Sequence, residues 1–416
     1  MRRIRELTNA DNEPLITIMA NAYPGIDIVT EADRVRFLQR SEQMVADTAV
    51  THWGLFDDDA LLGLMRLFDF TMTLHETAVF VGGVGSVAVG LAHKKQKVAR
   101  DMIQFFLRHY REKGAALTAL YPFRPDFYRQ MGFGYGPKMN QYRVKPASLP
   151  YVGMDDVVFL TDADREQVMG CYGRYAAQTH GMFLRHAYTW DTIFTDPAMR
   201  KLGVKRNGRI EGYLLFTFQP GKAGHFLSNE LLVRELVYET PEALAQLLTF
   251  LHRQADQIGR VVFQTQDDSF HYLLHDPRLD DELMLRPTLY HETNVQGLGL
   301  MYRVINVLRL FDQLADHDFG GQTCRLKLTL HDSFLPENEG EWVIGFENGR
   351  ARLLSSIDSD IAIELNVAEF SSLVMGTVDF RQLLTYRLAS ISDAGAAETV
   401  ARLFHTPRKP VCMITF

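Results

Sequence analysis

Cysteine, tryptophan and proline are sparse in this chain, with 3, 3 and 15 of each among 416 residues. Cys171, Cys324 and Cys412 are odd in number, far apart and free of CxxC spacing, which argues against a disulfide framework or a zinc site and fits a reducing cytoplasm. No stretch approaches the roughly 20 apolar residues of a membrane span, and the basic start MRRIRELTNADNEP runs into polar residues, not into an apolar signal core. Positive charge is not in excess either. The net charge of -7 gives no general attraction to nucleic acid or anionic membrane, so any anion site must be a local basic patch. With 46% hydrophobic and 23% charged residues, the chain reads as an intracellular globular protein of about two to four domains.

Periodicity supplies the organisation. A strand-like run Val84 to Val89 leads through a basic loop to Val98, Ala99, Met102, Ile103, Phe106, Leu107 and Tyr110, whose three- and four-residue spacing makes one apolar helical stripe. Arg111 and Lys113 suit the negative end of that helix, Gly114 its C-terminal stop, and Ala116 to Tyr121 the return strand. The same grammar recurs later: strand Leu232 to Tyr238, N-cap Thr240 with Pro241 in the first turn, then a stripe of Ala243, Leu244, Leu247, Leu248 and Leu251. Gly259 is expected to end that helix, Arg260 to Phe263 to return, and Asn207-Gly208 to turn a hairpin before RIEGYLLFTF. Two strand-helix-strand units imply two related α/β domains with parallel strands joined by a crossover.

After about Gly299 the pattern becomes α+β. Helix-like VINVLRLFDQLA precedes strands CRLKLTL, EWVIGF and RARLL, with Asn348-Gly349 as a hairpin turn. Asn366 and Glu369 have capping-box spacing ahead of VAEFSSLVM, Gly376 stops it, and PVCMITF is expected to form a final strand.

The two strand-to-helix loops differ in charge. LAHKKQKVARDM brings Lys94, Lys95 and Lys97 to a helix start, where backbone N–H groups and cations would cradle a pyrophosphate, whereas YETPEALA is acidic and would repel one. His93 reads as a loop residue. Directly after the first return strand comes FYRQMGFGYG, Phe127 to Gly136. With it the sequence resembles the GNAT superfamily of N-acetyltransferases, whose phosphate loop R-x-x-G-x-G/A corresponds to Lys94-Lys95-Gln96-Lys97-Val98-Ala99. Lys97 stands where a glycine is usual; its N–H would stay available if the backbone there is helical. Gly82-Gly83 would supply the bulge that splays the central strands and admits a pantetheine arm.

Over the whole chain, the segments VAVGLAHKKQKVARDM, YPFRPDFYRQMGFGYG, HDSFLPENEGEW and the terminal ITF resemble the Eis family. That resemblance implies two tandem GNAT folds of mixed sheet flanked by helices and then an α+β sterol-carrier-like domain. It divides the chain into a catalytic domain 1–150, a degenerate acetyltransferase-like domain 151–297 and a sterol-carrier-like domain 298–416. It implies acetyl-CoA as co-substrate, no metal, a primary amine of aminoglycoside, polyamine, lysine or peptide type as acceptor, and a cytoplasmic homo-oligomer, hexameric in Eis relatives. Tyr128 maps onto the general acid and the main-chain carboxylate of Phe416 onto the general base. An ammonium must lose a proton before it attacks the thioester, and the departing thiolate must gain one. Burial would raise the pKa of a terminal carboxylate and improve it as a base. Acetyl-CoA contacts carry over to Val87, Ala88 and Val89, to Lys94, Lys95, Gln96, Lys97, Val98, Ala99 and Arg100, and to Phe123 and Arg124. Asp27, Trp53 and Phe70 are candidates for the acceptor pocket. A lipid-binding role for the third domain and a silent acetyl-CoA sensor are the competing readings.

Overall fold

The strand-forming runs gather into three sheets in the computed structural model, which describes residues 1–26, 28–221, 228–279, 288, 290–355 and 357–416. The first contains β1 (Arg2–Glu6), β2 (Val50–Asp57), β3 (Ala60–Leu74), β4 (Thr77–Val89), β5 (Leu117–Leu120) and β6 (Gly134–Tyr135). The second contains β7 (Lys138–Val144), β8 (Val157–Phe159), β9 (Arg200–Arg206), β10 (Arg209–Pro220), β11 (Asn229–Tyr238), β12 (Ile258–Thr265) and β13 (Val295–Leu298). β14 (Met301–Val304) returns to the first sheet, and β15 (Cys324–His331), β16 (Gly340–Glu347), β17 (Arg350–Leu354), β18 (Ile361–Asn366) and β19 (Ala389–Ile391) form the third. The helices used below are α1 (Asn12–Ala22), α2 (Glu31–Val45), α3 (Val98–Glu112), α4 (Pro125–Arg129), α5 (Arg165–Ala177), α6 (Ala187–Thr195), α7 (Pro241–His252), α8 (Val307–Gln313) and α9 (Val367–Val374). Among the described residues no helix is long and apolar enough to cross a membrane.

The two α/β units appear as the periodicity anticipates. β4 and β5 pair in parallel around α3, and β11 and β12 around α7. Gly114 has φ 85, and the turns Asn207-Gly208 and Asn348-Gly349 carry positive φ at both residues, as their hairpins require. The sheets are not closed by consecutive strands, however. β7 precedes residue 150 yet pairs with β12 and β13 of the second sheet, while β14, beyond residue 297, pairs with β5 and β6 of the first. Each α/β sheet thus borrows a strand across the segment that joins the two.

Three local expectations are corrected. Gly259 lies inside β12, and α7 ends earlier, at His252. Asn366 caps α9 without a side-chain hydrogen bond, and Glu369 pairs instead with Arg129 of the first unit, so no capping box forms. PVCMITF forms no strand. Pro410 has no N–H to give to a ladder, and the next amides find other partners. Val411 N–H donates to the His180 carbonyl at 2.8 Å and Cys412 N–H to Gln266 Oε1 at 2.6 Å.

One apolar cluster runs continuously from the first sheet (Phe68, Phe70, Val81, Leu117) through Phe183 of the second unit into the third (Leu326, Ile344, Phe370, Phe404, Ile414). The third domain is therefore packed onto the first, not tethered to it. Its last segment lies in the crevice they share.

Candidate active site

The hydrogen bonds between β4 and β5 run from the Val81–Leu117 pair to the Val84–Leu120 pair and then stop. There β4 also bulges against β3: Arg66 opposes Gly85 and Leu64 opposes Ala88, so Ser86 and Val87 together face Met65. Ser86 accommodates the bulge with φ 51. This displaces the expected splay point, because Gly82 and Gly83 lie in regular register. They make room instead: a Cβ on Gly82 would stand 2.2 Å from the Tyr110 ring, and one on Gly83 2.5 Å from Phe70 and 3.1 Å from the Phe416 ring.

Where the strands part there is a cavity of ≈ 320 Å³ whose wall includes Tyr23, Val84, Gly85, Val87, Phe123, Tyr128 and Phe416. Pro125 opens the short helix α4 that carries Tyr128. The Tyr128 ring is buried against Phe123, Phe127 and Phe133. Burial raises the phenol well above its ordinary pKa, so it is protonated at neutral pH. The Phe416 ring packs against Phe68, Phe70, Tyr121 and Phe183, and Tyr121 Oη donates to the Ile414 carbonyl at 2.9 Å. The main chain then lies so close to β4 that a Cβ on Gly85 would come within 2.7 Å of the Phe416 carboxyl carbon. Of these residues, sequence reading named Val87, Phe123, Tyr128 and Phe416 and missed Tyr23, Tyr121 and Gly85. The signal for Gly85 was present in the run GGVGS, a third glycine two residues past the pair it singled out.

Val87, Ala88 and Val89 form the end of β4 beyond its pairing with β5, still held to β3, and the Val87 carbonyl accepts from Tyr23 Oη at 3.0 Å. Beyond it, Lys94, Lys95, Gln96, Lys97 and Arg100 are exposed, while Val98, the first residue of α3, is buried. Lys95 and Lys97 both take left-handed backbone, with φ 66 and φ 64, so the condition of a helical backbone at Lys97 is not met. Left-handed Lys97 stands directly ahead of the first turn of α3 as its N-cap. The first turn of α3 has no side-chain cap. Its amides are thus left for a ligand. Because a Cβ is strained at this φ, Lys97→Gly should raise stability by about 0.5 kcal/mol, read as a higher urea midpoint at constant slope.

The corresponding place in the second unit is filled. Thr240 Oγ1 accepts the Ala243 N–H at 3.1 Å, and Glu239 pairs with Arg174 at 2.7 Å and with Arg209. The β10–β11 bulge at Glu235 holds the buried Arg185–Glu235 pair, with Tyr213 Oη also donating to Glu235 and the Arg185 guanidinium 4.3 Å from the Tyr172 ring.

The acceptor-pocket candidates separate. Phe70 is buried beneath the Phe416 ring. Trp53 packs tilted against Phe105 at 4.8 Å and His109 at 5.3 Å on α3 and is not part of the cavity wall. Asp27 lies outside the described residues. Arg124 is exposed and pairs with Asp126. No cluster of three or more metal-ligating side chains occurs among the described residues.

Comparison with known proteins agrees with this geometry. Residues 3–136 match an acetyltransferase (GNAT) domain family, residues 181–303 a second acetyltransferase (GNAT) domain family, and residues 312–413 a sterol carrier protein domain family. An uncharacterized N-acetyltransferase from Streptomyces griseus is 24% identical over 409 residues, covering 90% of this chain and 93% of that protein. A GCN5-related N-acetyltransferase from Anabaena variabilis superposes with TM-score 0.81 at 16% identity, and Eis1 from Mycobacterium abscessus with TM-score 0.74 at 19%, each over 100% of both chains. GNAT domains in general use acetyl-CoA. The chain is an acyltransferase of GNAT type, built as two GNAT domains followed by a sterol carrier protein domain, with a fold that Eis1 shares.

Proposed function

We propose that the first unit transfers the acetyl group of acetyl-CoA to a primary amine, with Tyr128 as general acid and the Phe416 carboxylate as general base. The observation that carries this reading is the single cavity bordered by the parted end of β4, by Tyr128 and by Phe416. The amide-rich turn from Lys94 to Arg100 would take the pyrophosphate, and Val87 to Val89 would face the pantetheine arm. The acceptor ammonium gives a proton to the terminal carboxylate, directly or through a water. The freed nitrogen attacks the thioester carbonyl, the C–N bond forms and the C–S bond breaks, and the surplus proton on the new amide nitrogen leaves to solvent, from which Tyr128 is later reprotonated. The departing sulfur takes its proton from Tyr128, a phenol that burial keeps protonated.

The test is release of CoA thiol from acetyl-CoA with a panel of aminoglycosides, polyamines, amino acids and lysine peptides. Tyr128→Phe should lower kcat by about 10²–10⁴-fold with little change in acetyl-CoA affinity. Deletion of Phe416 should do the same, and Gly85→Ala should approach it by pushing the carboxylate aside without removing any group. Equal turnover with and without Phe416 would sink the terminal-carboxylate role. Tight acetyl-CoA binding without turnover across the panel would favour a sensor.

A further inference from the structure

The second unit grips the end of the chain at four successive residues. Lys409 pairs with Asp268 at 2.6 Å, and Pro410 lies so close to Gly181 that no Cβ would fit there. The Val411 N–H donates to the His180 carbonyl at 2.8 Å, and the Cys412 N–H donates to Gln266 Oε1 at 2.6 Å. The side chains then alternate. Val411 and Met413 pack on the core of the second unit with Tyr172, Trp190 and Tyr213, whereas Cys412, Ile414 and Phe416 enter the cluster shared by the first and third domains. Alternation with period two is that of an extended chain, whose neighbouring residues point to opposite sides. The tail is a strap laid between two cores, and it ends beside Gly85.

Two of its polar contacts come from matching places in the two units. Tyr121 is the first residue past β5 and donates to the Ile414 carbonyl; Gln266 is the first residue past β12 and accepts from Cys412. β5 and β12 are the return strands of the two parallel pairs. In the first unit that place borders the cavity. In the second, where Thr240 caps α7 in place of a ligand, it holds the chain's own backbone. Gln266 is only 4% exposed, so little water competes for the bond. From Cys412 to the terminal carboxyl group is on the order of 13 Å of extended chain, short enough for a slip at Gln266 to reach Phe416. A misplacement of about 1 Å at a reacting group costs on the order of 10²-fold in rate.

We propose that the second unit serves the first as the holder of its base, and that Gln266 is the positioning residue that sets where the Phe416 carboxylate lies. The proposal rests on the reading of Phe416 as base and adds the device that places it. It also gives a task to a unit whose own phosphate place is filled.

The experiment uses the full-length chain and two readouts. Carboxypeptidase A, which removes aromatic C-terminal residues, reports the release of Phe416, and thiol release from acetyl-CoA with the amine panel reports turnover. Gln266→Leu should release Phe416 about 10-fold faster than the native chain and lower kcat about 10- to 100-fold, with the KM for acetyl-CoA unchanged, because no wall of the cavity is altered. Gln266→Glu, which keeps an oxygen at that place, should restore most of both. Val411→Ala combined with Met413→Ala loosens the strap without touching its walls and should reproduce both effects even if Gln266→Leu does not fold. Release needs no acceptor, so equal release from all these chains would overturn the proposal whatever the turnover. Faster release with kcat unchanged would overturn the positioning role, and the chain lacking Phe416 then separates the causes. If that chain also turns over, the reading of Phe416 as base has failed; if it is inactive, that reading stands and the carboxylate finds its place without Gln266.

Discussion

Asp332→Ala should destabilise the protein by about 3–5 kcal/mol, because it leaves Arg303 charged and unpaired in the interior. Both side chains are essentially inaccessible, at 0% and 1% exposure, and their N–O distance is 2.6 Å. The pair is fully hydrogen-bonded: Asp332 also accepts from the Leu335 N–H at 2.9 Å and from Asn338 Nδ2 at 3.0 Å, while Arg303 Nε donates to the Met131 carbonyl at 2.7 Å. Met131 closes the turn after α4, whose Tyr128 borders the cavity. A contact between β14 and the third domain thereby holds the Tyr128 segment, and the chemical reason for the segment HDSFLPENEGEW becomes plain. Urea unfolding is the measurement. A loss below about 1 kcal/mol for Asp332→Ala would refute the account, and the double replacement Arg303→Met with Asp332→Leu should be much milder than either single change.

Acidification from pH 7 to pH 5 should remove a further large share of stability, about 4–6 kcal/mol, through three histidines held neutral. Burial pulls the pKa of His52 down to about 3, of His75 to about 2 and of His180 to about 4. In the unfolded chain each takes up its proton near pH 6.5. Stability from these groups is complete above that pH. It is lost as pH falls, at about 1.4 kcal/mol per histidine per unit, until the folded values are reached. His75, His180 and His317 come one from each unit and stack with ring centroids 4.7 and 4.0 Å apart. His180 Nδ1 accepts the His75 N–H at 2.9 Å, a bond that protonation would abolish. Urea midpoints across pH 5 to 7 test this, and a flat profile would contradict it. His180→Asn should shallow the slope by about a third if the three contributions are equal.

The parts of the fold that were legible in the sequence are those written in local spacing. The stripe from Val98 to Tyr110, the Thr240-Pro241 start and both Asn-Gly hairpins each depend on neighbours a few residues apart, and each appears where expected. Strand exchange left no such mark, because nothing in β7 or β14 says which sheet it joins. Charge partners across long separations were equally silent: Glu369 has the spacing of a capping residue, and only its neighbour in space, Arg129, explains its burial. Apolar PVCMITF read as a strand because its burial, not its hydrogen bonding, shapes its composition. The site was half legible. Tyr128 and Phe416 came from resemblance, whereas Gly85, although it stands in the visible run GGVGS, gains its place beside Phe416 only once the register of β3 against β4 is known.

The borrowed strands also bear on synthesis at the ribosome. As the chain emerges, β5 carries an open edge until residues 301–304 have been made, more than 180 residues later, because β14 is its partner. An open edge in a nascent chain invites pairing with a neighbouring molecule. A fragment cut near residue 150 would keep that exposed edge for good, along with a β7 whose partners β12 and β13 are missing. The unit that borders the cavity is therefore a poor candidate for separate expression, and the long-range closure predicts slow folding that benefits from chaperones.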